Sequence, residues 1–108
     1  MDNTYERMEI IIERNGNIVI IKAKGRIDAV TANAFADAIE KDIHTADELV
    51  LDFSDVEYIS SAGLRVLLTA QKEMDRINCV MTVTHVKENV MNIFEDTGFT
   101  NFIDVEEN

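Results

Sequence analysis

Residues 49–68, Leu49-Val50-Leu51-Asp52-Phe53-Ser54-Asp55-Val56-Glu57-Tyr58-Ile59-Ser60-Ser61-Ala62-Gly63-Leu64-Arg65-Val66-Leu67-Leu68, decide the fold. Leu49 to Phe53 is a nearly unbroken apolar run containing a β-branched residue, the pattern of a strand buried on both faces. Leu64, Leu67 and Leu68 recur at helical spacing. Between them lies Ser60-Ser61-Ala62-Gly63, and a serine just before a periodic apolar run is a helix N-cap signal. A strand therefore hands over to a helix at Ser60–Ser61, after a short loop. In an open α/β sheet, function gathers at the carboxyl ends of the strands.

Upstream, Met8 to Arg14 alternates in part and reads as a strand near the sheet edge. Asn15-Gly16 is a strong hairpin signal, and Ile18-Val19-Ile20-Ile21 is the return strand, buried on both sides by its composition. Gly25-Arg26-Ile27-Asp28 breaks that pattern and reads as a loop. Thr31 can cap a helix whose apolar face is Ala32, Phe35, Ala36, Ile39 and Ile43. Downstream, the helix from Ser61 runs to about Ile77, and Cys79 to Val83 forms another central strand. Val86, Val90, Ile93 and Phe94 mark a third helix, and Gly98 suits a left-handed cap with Phe99 packing back on the last turn. Phe102 to Val105 reads as a last short strand and Glu106 to Asn108 as a frayed tail.

The order is β-hairpin, helix, strand, helix, strand, helix, short strand. It predicts one α/β domain over residues 1–108, with a mostly parallel sheet, right-handed crossovers and helices packed on it. The length of 108 residues suits one core, and no proline, repeat or low-complexity segment suggests a linker.

Twenty-one acids against ten bases give a formal charge of −11. That argues against nucleic acid or an anionic membrane as a partner, and serves solubility or attraction to a basic partner. The single Cys79 excludes an intrachain disulfide and fits a reducing, cytoplasmic setting as a buried small hydrophobe. The N-terminus lacks a signal-peptide pattern, and no apolar run approaches a membrane span.

No enzyme site emerges. Asp52, Asp55 and Glu57 match no calcium loop. His44 and His85 have no neighbouring ligand at metal spacing, so no metal and no cofactor is expected. The GxSxG elbow and a phosphate-binding glycine loop are both missing. Asp52, late in a strand, could be the phosphoacceptor of a receiver domain. That fold needs an acidic pair after its first strand, where this chain has Asn15-Gly16, so Asp52 is read as structural or as orienting the loop before Ser61. Arg65, Thr69, Lys72 and Arg76 share one helix face opposite Leu64, Leu67, Leu68, Gln71 and Met74. That face is either a solvated surface or a local basic stripe that orients a partner.

The stretch Asp52-Phe53-Ser54-x-Val56-x-Tyr58-Ile59-Ser60-Ser61-Ala62-Gly63-Leu64 resembles the signature of STAS domains, in particular bacterial anti-sigma-factor antagonists. Gly25-x-Ile27-Asp28 and Phe94-Glu95-Asp96-Thr97-Gly98-Phe99 are similar to two weaker family patterns, and the resemblance covers nearly the whole chain. It implies a single STAS-type domain. In that family the serine two before the glycine, here Ser61, is phosphorylated by a partner kinase. The family's usual acidic residue before it is Ser60 here, which leaves Ser60 as the other candidate. From spacing alone Ser61 is a helix cap, worth roughly 1 kcal/mol. The resemblance makes it the phosphosite, with Ser60 as its neighbour and possible cap and with Asp28, Ser60, Ser61 and Gly63 on the partner-binding surface; the basic-stripe reading adds Arg65 to that surface. Gly63 would let a backbone or a phosphate approach closely. The implied partners are an anti-sigma-factor serine kinase, bound by the unphosphorylated form, and a serine phosphatase that reverses the modification. The alternative is an unphosphorylated STAS module that scaffolds or regulates a transporter or signalling complex, with Ser61 only a cap.

Overall fold

The computed structural model describes residues 8–107. Five strands form one sheet in the order β1-β2-β3-β4-β5. They are β1 (Met8–Asn15), β2 (Ile18–Ile27), β3 (Glu48–Ile59), β4 (Val80–Val86) and β5 (Asp104–Glu107). The helices are α1 (Ala32–Ile43), α2 (Ser61–Arg76) and α3 (Glu88–Asp96), with a 3-10 turn at Phe99–Asn101. Only β1–β2 is antiparallel; every later pair is parallel. The hairpin turn is Gly16–Asn17, one position later than Asn15-Gly16 suggests. Asn15 pairs with Ile18, and Gly16 supplies the left-handed conformation at φ 62°.

Each β–α–β connection steps one strand further in the same direction. Right-handed crossovers then lay every helix on one face of the sheet. The core shows this directly. Phe53 of β3 meets Phe35 of α1 and Phe94 of α3, with ring centroids 6.2 and 6.3 Å apart, and Phe99 stacks on Phe94. Leu49, Leu51 and Phe53 are fully buried on that face, together with Val19, Ile21 and Ala23 of β2. Ile20 and Val50, paired across β2 and β3, point the other way and are only half-buried. The expectation that β2 and β3 are buried on both sides is therefore corrected. No connection reverses direction across the sheet, so none of the helices among the described residues covers its second face.

β3 is longer than its apolar run suggests, and it carries two bulges. Lys22 pairs with Asp52 and Lys24 with Asp55, so Phe53 and Ser54 together oppose Ala23. Gly25 pairs with Val56 and Arg26 with Tyr58, so Glu57 is a second extra residue. The bulges convert the alternation of Leu49, Leu51 and Phe53 into a step of three, which buries Phe53, Val56 and Ile59. Pairing with this stretch also keeps Gly25 to Ile27 in β2, where a loop was expected. Only Ser60 separates β3 from α2.

The C-terminal part follows the expected order. Val86 ends β4 and does not start α3. Gly98 takes a left-handed conformation at φ 75°, beyond the α3 cap Thr97. Glu106 and Glu107 belong to β5 and do not fray; Asn108 lies outside the described residues, as does the N-terminal stretch before Met8. Cys79 is half-buried, with its thiol 3.2 Å from the carbonyl oxygen of Ala46.

Candidate functional site

Two strand-to-helix turns stand side by side at the carboxyl ends of β2 and β3. They are tied together by the Ser60 N–H, which donates to the Ile27 carbonyl at 2.8 Å. Ser60 is the N-cap of α2, with extended backbone at φ −93°, ψ 176°. Its carbonyl accepts from Leu64 N–H at 2.9 Å, and its hydroxyl accepts a long bond of 3.4 Å from Gly63 N–H. Capping thus falls to Ser60. Ser61 is the first helical residue and exposed, and its hydroxyl has no hydrogen-bond partner among the described residues. Of the two serines that could cap the helix, Ser60 takes the role, and the reading of Ser61 as the cap is corrected.

Asp28 organises the neighbouring turn. Its Oδ1 accepts from the N–H groups of Val30 and Thr31 at 3.0 and 3.1 Å, an Asx-type turn. Thr31, the N-cap residue of α1, makes no side-chain cap bond to its own helix. Its hydroxyl donates to the Arg26 carbonyl at 2.8 Å and accepts from Asp28 N–H at 2.9 Å. The loop so held presents Val30, 59% exposed, on the surface.

Gly63 is buried. A Cβ there would lie 2.6 Å from Ile59 Cγ1 and 2.7 Å from Ile27 Cγ2. The close approach at this glycine is therefore internal: the first turn of α2 rests on the last side chains of β2 and β3. The glycine shapes the surface from beneath and is not itself part of it.

Arg65, one turn below Ser61, is exposed and lines a groove between α1 and α2 together with Thr69, Lys72 and Arg76. Arg76 is engaged by Glu73, with Nη2–Oε2 at 2.5 Å. The hydrogen bond from Arg76 holds the Glu73 carboxyl below its ordinary range, and Glu73 in turn raises Arg76. His44, the C-cap of α1, lies 3.8 Å from the same carboxylate.

Asp52 stands apart from the Ser61 turn, so it does not orient the loop before Ser61. Its side chain accepts from Ser54 N–H at 2.9 Å, across the first bulge, and lies 4.0 Å from Lys22 Nζ and 3.7 Å from His85 Nδ1. His85 is inside β4, at φ 57°. Asp55 and Glu57 line a separate small pocket with Lys24, Arg26 and Lys87. The Arg26 guanidinium sits 4.5 Å from the Tyr58 ring centroid, a cation–π contact that sequence reasoning missed. Its signal lay in the register, which is unreadable until the bulges are known.

The chain belongs to the STAS domain family, whose model matches residues 9–108. Among its curated relatives, a candidate anti-sigma factor antagonist, BtrV of Bordetella bronchiseptica, is 25% identical over 91% of this chain and 85% of its own. The anti-sigma-B factor antagonist of Listeria monocytogenes is 29% identical over 88% of this chain and 84% of its own. The Bacillus cell fate determinant SpoIIAA in its phosphorylated form shares the fold, with a TM-score of 0.71 at 14% identity, covering 90% of each chain. No helix among the described residues is long and apolar enough to cross a membrane.

Proposed function

We propose that this protein is an anti-sigma-factor antagonist in a phosphorylation-controlled partner switch. Unphosphorylated, it binds an anti-sigma-factor serine kinase through the paired turns at Asp28–Val30 and Ser60–Arg65. The kinase transfers the γ-phosphoryl group of ATP to the Ser61 hydroxyl; the Ser61 O–H proton leaves and ADP departs. A serine phosphatase restores the hydroxyl. The protein is then a substrate and a switch, and the catalytic groups belong to its partners.

One observation carries this reading: Ser61 is exposed at the start of α2 with its hydroxyl uncommitted, because Ser60 does the capping. A phosphate there meets the free N–H groups and positive end of the helix. It adds about −1.5 to −2 charges at pH 7. The favourable helix-end term is about 0.3–1 kcal/mol at an exposed site, so the fold tolerates the group. Docking does not, because a close contact would desolvate a charge that has no designed partner.

Phosphopeptide mapping after incubation with ATP and the partner kinase tests the site. Incorporation is expected in wild type and Ser60→Ala and lost in Ser61→Ala. Undiminished labelling of Ser61→Ala would overturn it. A thermal melt and a binding titration on one phosphorylated sample test the mechanism: binding is expected to fail with the melting temperature nearly unchanged.

A further inference from the structure

The groove between α1 and α2, about 740 Å³, is a second feature of the helical face and leads away from Ser61. Its floor is apolar and buried, with Ala32 and Ile39 from α1 and Ala70 from α2. Its α2 rim carries Arg65 and Lys72, both exposed. We propose that this groove docks an amphipathic α-helix of a partner protein, one that carries acidic residues along the flank facing α2. The inference does not depend on phosphorylation of Ser61.

Charge complementarity selects the occupant. Among the described residues neither Arg65 nor Lys72 has a carboxylate within ion-pair distance, whereas Arg76 is held by Glu73. The lining holds three cations, Arg65, Lys72 and Arg76, against two carboxylates, Glu40 and Glu73. It is net positive in a chain of formal charge −11. A cationic partner is attracted by most of this surface and repelled here; an acidic one finds its favourable potential here.

Shape selects a helix. Arg65 and Lys72 are seven residues apart on α2, two turns or about 10.5 Å, too far for one small anion to bridge. Both walls are helices whose backbone groups are bonded internally, so an extended segment has no strand edge to join. The mode left is a helix in a groove, read through anchors at i, i+3, i+4 and i+7. Acidic side chains at i and i+7 of such a helix match the spacing of Arg65 and Lys72.

The test uses isotope-labelled protein titrated with two synthetic 16-residue helical peptides that share an alanine–leucine inner face. One carries Glu and the other Lys on the flank. The Glu peptide is expected to bind on the order of tenfold more tightly at low salt. Amide shifts should be confined to the Ala36, Val66 and Ala70 region. In 1 M salt, where the Debye length is about 3 Å, the difference should largely vanish. Arg65→Glu/Lys72→Glu should invert the preference, and Lys72→Glu alone should remove most of it; the amide spectrum of each free variant verifies its fold. Ser61→Asp should still bind the Glu peptide, which separates this surface from the switch. Equal affinity for the two peptides, no binding of either, shifts centred elsewhere, or an unaltered preference in the double variant would each overturn the proposal. So would concentration-dependent dimerisation of the protein alone that Lys72→Glu abolishes, since the groove would then belong to a second copy.

Discussion

The turn before α1 and the turn before α2 solve the same problem in different ways. Each brings a strand end into a helix whose first N–H groups need acceptors. Before α1, Asp28 and Thr31 bond each other and the backbone around them, and Thr31 is 7% exposed. Before α2, one serine is enough, and a second serine stands next to it with its hydroxyl unbonded among the described residues. The first turn is closed upon itself; the second keeps a reactive group in reserve. A modification at α2 can therefore be added without dismantling the local structure, and the same chemistry at Thr31 would require unfolding the turn.

Gly63 offers the harshest test of that contrast, because the α2 turn depends on α2 lying flat on β2 and β3. Gly63→Val drives its added carbons into Ile27 and Ile59. The expected loss is about 3 kcal/mol, the upper end for overpacking, read by chemical denaturation. If stability is retained, α2 does not rest on those side chains as described. Next in size is Asp28→Ala, which removes the acceptor of two backbone N–H groups. A loss of about 1–2 kcal/mol is expected, against about 0.5–1 kcal/mol for Ser60→Ala, whose cap bond is long. Equal losses would erase the distinction between the two turns. Ser61→Ala should change stability by less than about 0.5 kcal/mol, as Ser61 is exposed and its hydroxyl has no partner among the described residues. A larger loss would show that its hydroxyl is committed after all.

The smallest effect concerns acid. The Glu73 carboxyl has its pKa lowered in the folded chain, chiefly by the hydrogen bond from Arg76. A depressed carboxyl contributes stability above its unfolded-state pKa, about 4.3, and loses it as pH falls through the folded value. The wild-type melting temperature should therefore fall slightly more than that of Glu73→Gln as pH drops below about 4.3, and the two curves should run parallel above it. Since Arg76 is exposed and Glu73 is only half-buried, the difference should shrink in salt.

Much of this arrangement was readable from residue order. The hairpin at Gly16, the apolar faces of α1 and α2 and the left-handed Gly98 each follow from local chemistry, and so does the serine pair before a periodic apolar run; the face of α3 was read only in part, with Val86 of β4 included and the buried Met91 missed. What could not be read depends on partners distant in sequence. A bulge exists only relative to a neighbouring strand, so Ser54 and Glu57 look like loop residues until β2 is laid beside them. That no described helix covers the second face of the sheet follows from the strand order, which composition does not encode; Ile20 and Val50 look as buried as Val19 and Leu51. Thr31 looks like an ordinary cap, yet its hydroxyl reaches back to Arg26. The basic stripe on α2 was visible, but that it borders a groove with α1, and that Glu73 engages Arg76, required the packing.

The length of β3 has a steric consequence. Its pairing with β4 stops at Asp52, and the remaining residues to Ile59 have only β2 as a sheet neighbour. At the usual rise of about 3.3 Å per residue, that is an overhang of roughly 20 Å, shortened by its bulges. Asn89 of α3 fastens its free side with one bond, from Nδ2 to the Glu57 carbonyl at 2.7 Å. Ser61 therefore rides on a prow that projects past β4. On the function proposed above, a partner kinase would bring its own catalytic cleft over Ser61, and a concave cleft closes over a prow far more easily than over a plain. That clearance comes from the β2–β3 ladder running on to Ile27 and Ile59 beyond the end of the β4 pairing, and not from the bulges, which fold seven residues of β3 into the length of five of β2.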